Sequence, residues 1–124
     1  MTSSFVARLL GASLALAAVL PAGPAAAADR WGSIYFSPET NAVGYSFRQP
    51  SRRHAEGVAY DNCDADDCVK ATTFRNACGA VAAGENGGWG ANWGSNGRRA
   101  QRAAITACRN NDDGCRVIRW QCAN

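Results

Sequence analysis

Six cysteines are the residues of this sequence whose type and spacing most directly suggest chemistry. They are Cys63, Cys68, Cys78, Cys108, Cys115 and Cys122. Thiols in proteins form disulfides, ligate metal ions or act as nucleophiles. An even number of cysteines in a short exported chain is typical of a disulfide framework. The spacings do not match a zinc site, so we predict three disulfides, no metal site and no free nucleophilic thiol.

No constellation of acid, base and nucleophile stands out elsewhere. The single histidine, His54, lies beside two arginines in a predicted helix, and no serine elbow accompanies it. Acidic stretches at residues 64–67 and 110–113 could offer oxygen ligands to calcium, but the twelve-residue calcium loop is missing. We therefore predict no catalytic residue and no cofactor.

Aromatic and arginine side chains are the candidates for recognition. Tyr45, Trp89 and Trp93 alternate with small residues, so they could form a stacking platform for a sugar or a protein, or else belong to the core. Arg98, Arg99 and Arg102 give a predicted helix a basic outer face without acids at i+4. Three charges are too few to predict specific nucleic-acid binding. These six residues are the predicted binding residues, and the predicted partner is a protein or a glycan.

The N-terminal segment has the organisation of a secretory signal peptide. Arg8 precedes an apolar stretch, which is followed by prolines and a small-residue cleavage site ending at Ala28. The apolar stretch is too short to act as a stable membrane anchor. Cleavage would leave residues 29–124 as a single domain and reduce the formal charge of +3 by one, because Arg8 is lost. We predict a monomer secreted to the extracellular or periplasmic space.

The mature sequence repeats itself, with copies at about residues 31–77 and 78–122. In each copy, alternating aromatic and small residues predict a β-hairpin, and a stripe of alanines predicts a helix. A short β-rich run closes each copy. The predicted fold class is therefore α+β: a small disulfide-stapled domain with a duplicated ββαβ unit, a mostly antiparallel sheet and two helices.

The repeat also bears on the cysteine pairing. Six cysteines permit 15 pairings, and the sequence alone does not choose among them. If the two halves pack with pseudo-two-fold symmetry, we favour two short links, Cys63–Cys68 and Cys108–Cys115. The third, Cys78–Cys122, would then join equivalent positions of the two halves.

Several motifs in a fixed order resemble a known family. They are Trp31-Gly-Ser-Ile, Gly44-Tyr-Ser-Phe47, Phe74-Arg-Asn-Ala-Cys-Gly-Ala80, Trp89-Gly-Ala-Asn-Trp-Gly94 and Cys115-Arg-Val-Ile-Arg-Trp-Gln-Cys122. Together they resemble the bacterial secreted family known as domain of unknown function 4189. The resemblance implies a small exported domain, and some related proteins look like effectors that act on a host. It supplies no catalytic residues.

These observations favour a secreted, non-enzymatic binding or effector module. The alternative is a hydrolase acting on the cell envelope or on glycans, or an inhibitor of such an enzyme. An exposed aromatic cleft containing a carboxylate such as Glu56 or Glu85 would favour the alternative.

Overall fold

The computed structural model describes residues 28–124, together with residues 11, 13–15 and 17. The predicted signal peptide lies almost entirely outside the described residues, so its cleavage stays a prediction. Within the described part of the chain, neither helix is long and apolar enough to cross a membrane.

Two units with the same order of elements follow one another along the chain. The first consists of β1 (Trp31–Phe36), β2 (Val43–Gln49), α1 (Arg52–Asp61) and β3 (Val69–Arg75). The second consists of β4 (Cys78–Ala83), β5 (Trp89–Gly94), α2 (Gly97–Arg109) and β6 (Arg116–Cys122). Each unit forms its own antiparallel sheet, in the orders β2-β1-β3 and β5-β4-β6. The predicted α+β class with antiparallel strands and two helices is confirmed, and the division into two sheets is a feature that the sequence did not predict.

The two sheets pack face to face, and each helix covers the outer face of its own sheet. The layer between the sheets contains Ile34, Phe36 and Phe74 from the first unit and Val81 from the second. The outer face of the second sheet packs against α2 through small residues: Ala80, Ala82, Ala100, Ala104 and Cys108. All six residues of β4 are buried, as expected of a strand covered on both faces. The layers therefore run helix, sheet, sheet, helix.

The helices begin at capping side chains and lie close to their sheets. Ser51 accepts a hydrogen bond from the N–H of His54, and Asn96 accepts one from the N–H of Arg99. A side chain at Gly44 would collide with the backbone of α1 and of Cys63. Because glycines and alanines line these contacts, the helix backbones can approach the strands closely.

A two-residue linker, Asn76-Ala77, joins the two units and holds both ends of the domain. The Asn76 side chain accepts a hydrogen bond from the N–H of Arg30 at 2.9 Å and donates one to Asp29 at 2.9 Å. At the other end, the N–H of Ala123 donates to the carbonyl of Ala77 at 2.8 Å. The residues next to the start of β1 and the end of β6 are thus both tied to the linker.

The six cysteines pair as Cys63–Cys68, Cys78–Cys122 and Cys108–Cys115, which is the pairing that pseudo-symmetry favoured. One detail of the expectation is wrong. Cys78 and Cys122 do not occupy equivalent positions of the two units, because Cys78 opens β4 and Cys122 closes β6 within the same sheet. The equivalent pair in the first sheet is Trp31 and Arg75. The long disulfide is therefore internal to the second unit.

Candidate functional site

A cleft of about 360 Å³ opens where residues of the first unit meet β5 of the second. We call it the tryptophan cleft; its lining residues are Trp31, Arg52, Thr73, Phe74, Arg75 and Trp93. Trp31 is half-buried at the start of β1, whereas Trp93 is 58% exposed near the end of β5. A volume of this size falls within the range of small-ligand sites.

Phe74 is the buried part of the cleft lining. Its ring lies over the backbone of Gly32 and Gly79, where any added Cβ would contact the ring. The two glycines come from the central strands of the two sheets, β1 and β4. Small residues at these two positions therefore let one phenylalanine fill the space between the sheets beneath the cleft.

Two arginines lie over the Trp31 ring. The Cζ atom of Arg52 is 5.0 Å from the ring centroid, and that of Arg75 is 5.6 Å from it. Both distances are within the range in which a guanidinium is attracted to the electron-rich face of an indole. The contacts hold two positive charges beside one aromatic surface.

Carboxylates balance part of this charge. Glu56 Oε1 is 3.7 Å from Arg52 Nη1 and 3.4 Å from Lys70 Nζ, and it accepts a hydrogen bond from Thr73 Oγ1 at 3.1 Å. Asp29 Oδ2 is 3.6 Å from Arg75 Nη1. Since the arginines are more than half exposed, these ion pairs are screened by solvent and stabilise the fold little.

The structure separates the three aromatic residues that the sequence suggested for binding. Trp93 lines the tryptophan cleft. Tyr45 lies half-buried under the guanidinium of Arg119, whose Cζ is 3.7 Å from the Tyr45 ring centroid. Trp89 packs against Phe36 with 5.3 Å between ring centroids. Tyr45 and Trp89 thus border the core, and neither lines the cleft.

Arg98, Arg99 and Arg102 are exposed on α2, and none of them lines the cleft. Arg99 Nη1 donates a hydrogen bond to Ser95 Oγ at 3.0 Å. Among the described residues, none of the three arginines has a carboxylate within 4.0 Å. Their shared feature is therefore an uncompensated basic surface.

Three residues that line the cleft, Trp31, Arg52 and Arg75, were not among the binding residues predicted from the sequence. Trp31 opens β1 and Arg75 closes β3, so antiparallel pairing places them directly opposite each other. That pairing could have been inferred from the predicted strands. The approach of Trp93 from the second unit depends on how the sheets stack, which no local pattern indicates.

The remaining polar candidates have structural partners. Ser51 Oγ lies 2.7 Å from His54 Nδ1 at the beginning of α1, where it also caps the helix. Asp67 and Asp112 lie in equivalent loops, and each accepts hydrogen bonds from the hairpin turn of its own unit. Within residues 28–124 and the few described residues before them, no group of three potential ligands is placed to hold a metal ion.

The two aspartates have lowered pKa values. The hydroxyl of Ser37 lowers the pKa of Asp67. Desolvation raises the pKa of Asp112, but hydrogen bonds from the backbone of Asp113, from the Asn86 side chain and backbone and from the Gly88 backbone outweigh it. The result is a pKa lowered from 3.8 to about 2. The carboxylates of Asp67 and Asp112 are therefore ionised when they bind the hairpin turns.

This chain is similar to several mycobacterial proteins and to one family. Protein Rv1269c of Mycobacterium tuberculosis and Protein Mb1300c of Mycobacterium bovis are each 42% identical over 59 residues, which make up 48% of this chain and 46% of each relative. The match thus spans about half the length of these relatives. The NMR structure of Rv1813c from Mycobacterium tuberculosis matches with a TM-score of 0.56 and 29% identity, over 83% of this chain and 80% of that one. The family described as Domain of unknown function (DUF4189) matches residues 31–122, nearly all of the residues that the structure describes. The chain therefore belongs to the DUF4189 family.

Proposed function

We propose that this protein is an exported, non-enzymatic binding module whose ligand site is the tryptophan cleft. The observation that carries the proposal is that Trp31 and Trp93, one from each unit, line one cleft beside two exposed guanidinium groups. Tryptophan and arginine are the residues that most often dominate binding energies at recognition sites. Three disulfides cross-link other elements of the same domain, and a rigid scaffold reduces the entropy lost when a ligand binds.

The alternative, a glycan-acting hydrolase, has less support. Glu56 touches Arg52 and Thr73 but does not itself line the cleft, and its Oε1 already contacts three donors. Glu85 lies on the turn between β4 and β5, at Gly114. Most glycosidases flank the scissile bond with two carboxylates, and none of the described residues that line the tryptophan cleft is a carboxylate. This arrangement favours binding over hydrolysis.

A binding screen with a matched control tests the proposal. Oligosaccharides and peptides are titrated against the oxidised protein, and binding is followed by calorimetry and tryptophan fluorescence. Trp93→Ala should weaken binding about tenfold or more, because it removes an exposed indole from the cleft. Trp120→Ala is the control, since Trp120 is 48% exposed but does not line the cleft. If a ligand is found and the two variants bind it equally, the cleft is not the site.

Export is part of the proposal, supported by the signal-like N-terminus and the three disulfides, which require an oxidising compartment. Cleavage after Ala28 would leave Asp29 and Arg30 as the first residues. Both make hydrogen bonds to Asn76, so the cut would fall just before the folded domain begins. N-terminal sequencing of the exported protein should read Asp29 first. A chain found only in membranes with Met1 retained contradicts this.

A further inference from the structure

We infer that the tryptophan cleft recognises an acidic saccharide, a sugar segment that places one carboxylate in the cleft, such as a single uronic-acid residue. This inference rests on the proposed function and specifies the ligand class of the same site. It is carried by three features: available guanidinium donors, the charge balance around the cleft, and the exposed indole of Trp93.

The guanidinium groups have hydrogen-bonding capacity to spare. Arg52 and Arg75 contact their carboxylate partners at 3.7 and 3.6 Å, which is too long for a hydrogen bond. Among the described residues, neither guanidinium donates a side-chain hydrogen bond to any other group. Each guanidinium carries five donors in a planar fork, a shape that matches a carboxylate. Their stacking on Trp31 orients these donors before a ligand arrives.

The charge balance around the cleft favours a ligand with a single negative charge. Arg52, Arg75 and Lys70 contribute three positive charges, and the Glu56 and Asp29 carboxylates offset two of them. One positive charge remains. A phosphodiester chain or a polyphosphate would bring several negative charges close to the two carboxylates, and this repulsion disfavours it.

The remaining surfaces of the cleft suit a sugar ring. The face of a pyranose that carries its C–H groups is apolar and packs on an indole, and Trp93 presents such a surface at 58% exposure. The spare guanidinium donors of Arg52 and Arg75 can also donate hydrogen bonds to the oxygens of ring hydroxyls. A carboxylate at one edge and hydroxyls around the ring are the combination that an acidic sugar offers.

The second unit does not repeat this site. Its equivalents of Trp31 and Arg75 are Cys78 and Cys122, which are joined in a disulfide. The duplicated fold should therefore bind one acidic sugar segment per chain and not two.

Calorimetry on the oxidised chain tests the inference with a tetrasaccharide of three glucose residues and one glucuronic-acid residue, and with the same tetrasaccharide reduced at its carboxyl group to a neutral glucan. We expect the acidic form to bind with one-to-one stoichiometry and the neutral form to bind about tenfold more weakly or worse, as expected when a charge-assisted hydrogen bond is lost. Arg75→Gln and Arg52→Gln should each remove most of the difference between the two sugars. Arg109→Gln, on α2 and outside the cleft, should leave it unchanged.

Each outcome bears on one of the two proposals. Equal binding of the acidic and neutral sugars, abolished by Trp93→Ala, overturns the inference and leaves the binding function intact. Displacement of the tetrasaccharide by inorganic sulfate at equal concentration overturns the sugar component, because it shows a simple anion site. Binding of an acidic peptide but of neither sugar also overturns the inference. Acidic sugar binding that survives both Trp93→Ala and the two arginine substitutions, in variants whose circular dichroism is unchanged, overturns both proposals.

Discussion

Trp31 and Arg75 face each other across β1 and β3 at the register position that Cys78 and Cys122 occupy across β4 and β6. In the second unit this position is closed by a covalent bond, and Cys78 is 5% exposed. In the first unit it holds an indole and an exposed guanidinium with 5.6 Å between ring centroid and Cζ. At the same position in the two sheets, the second unit thus has a stabilising disulfide and the first has two residues that line the cleft.

We predict that the disulfide Cys78–Cys122 stabilises the fold more than either short disulfide. It spans 44 residues, for which the loss of entropy in the unfolded chain corresponds to about 4 kcal/mol. The Cys63–Cys68 link spans 5 residues and corresponds to about 2 kcal/mol. Urea unfolding of the two double alanine variants measures the difference. An equal or larger loss for the short link would contradict the loop-length argument.

Alanine at Gly44 should destabilise the protein. A Cβ there collides with the carbonyl of Ala59 and the backbone of Cys63, neither of which can move without shifting α1. We expect a loss of about 1–3 kcal/mol in the free energy of unfolding, the usual cost of overpacking. Gly57→Ala is the matched control. Gly57 lies within α1 with nothing within 4 Å of an added Cβ, so its replacement should stabilise the helix by about 1 kcal/mol. Equal effects at the two positions would show that α1 does not rest on β2 as described.

Stability should fall in acid as Asp112 becomes protonated. Its pKa is about 2 in the folded protein and near 3.8 in the unfolded chain, so the unfolded chain binds more protons between these values. The contribution of Asp112 to the free energy of unfolding is therefore present above about pH 4 and is lost as the pH falls towards 2. Asp112→Asn should flatten the dependence of the unfolding midpoint on pH in this window. Asp64→Asn, at an exposed residue, is the control and should leave the dependence unchanged. An unchanged slope in Asp112→Asn would count against the role of Asp112.

Arg98 and Arg109 lie at opposite ends of α2, where the helix dipole has opposite signs. Arg98 lies in the first turn, which contains no acidic residue, whereas Arg109 is the last residue of the helix. Arg98→Glu should raise stability by about 0.3–1 kcal/mol at low salt, and Arg109→Glu should lower it by a similar amount. Both effects should shrink in 1 M salt, because the distance over which charges are screened is then about tenfold shorter than in dilute buffer. Thermal unfolding of the two variants at low and high salt measures the effects, and the same sign for both would rule out the dipole as their cause.

The helices and hairpins could be predicted from the sequence because they follow from the spacing of apolar residues along it. The alanine stripe predicted α2, and Ala100, Ala104 and Cys108 are its buried residues. Alternating residues predicted the hairpins, and the even number of cysteines predicted the disulfides.

The division into two sheets and the location of the cleft depend on long-range packing. A single clue to the stacking was present in β4, whose run of small and apolar residues without polar alternation is typical of a strand covered on both faces. Nothing in the immediate surroundings of Trp93 indicates that it approaches Trp31, because the two residues belong to different sheets. Local patterns do not specify which faces of two sheets meet.

The linker Asn76-Ala77 binds Asp29 and Arg30, just before β1, through Asn76, and it binds Ala123, just after β6, through Ala77. Asp29 and Ala123 therefore contact adjacent residues of the linker, and joining them would close the domain into a ring. A few added residues could join these two positions, as is common in domains whose ends lie close together. The ring could then be opened at the exposed turn around Gly87, between β4 and β5. A circularly permuted chain of this kind would keep every strand pairing and all three disulfides, and it would begin in the second unit and end there.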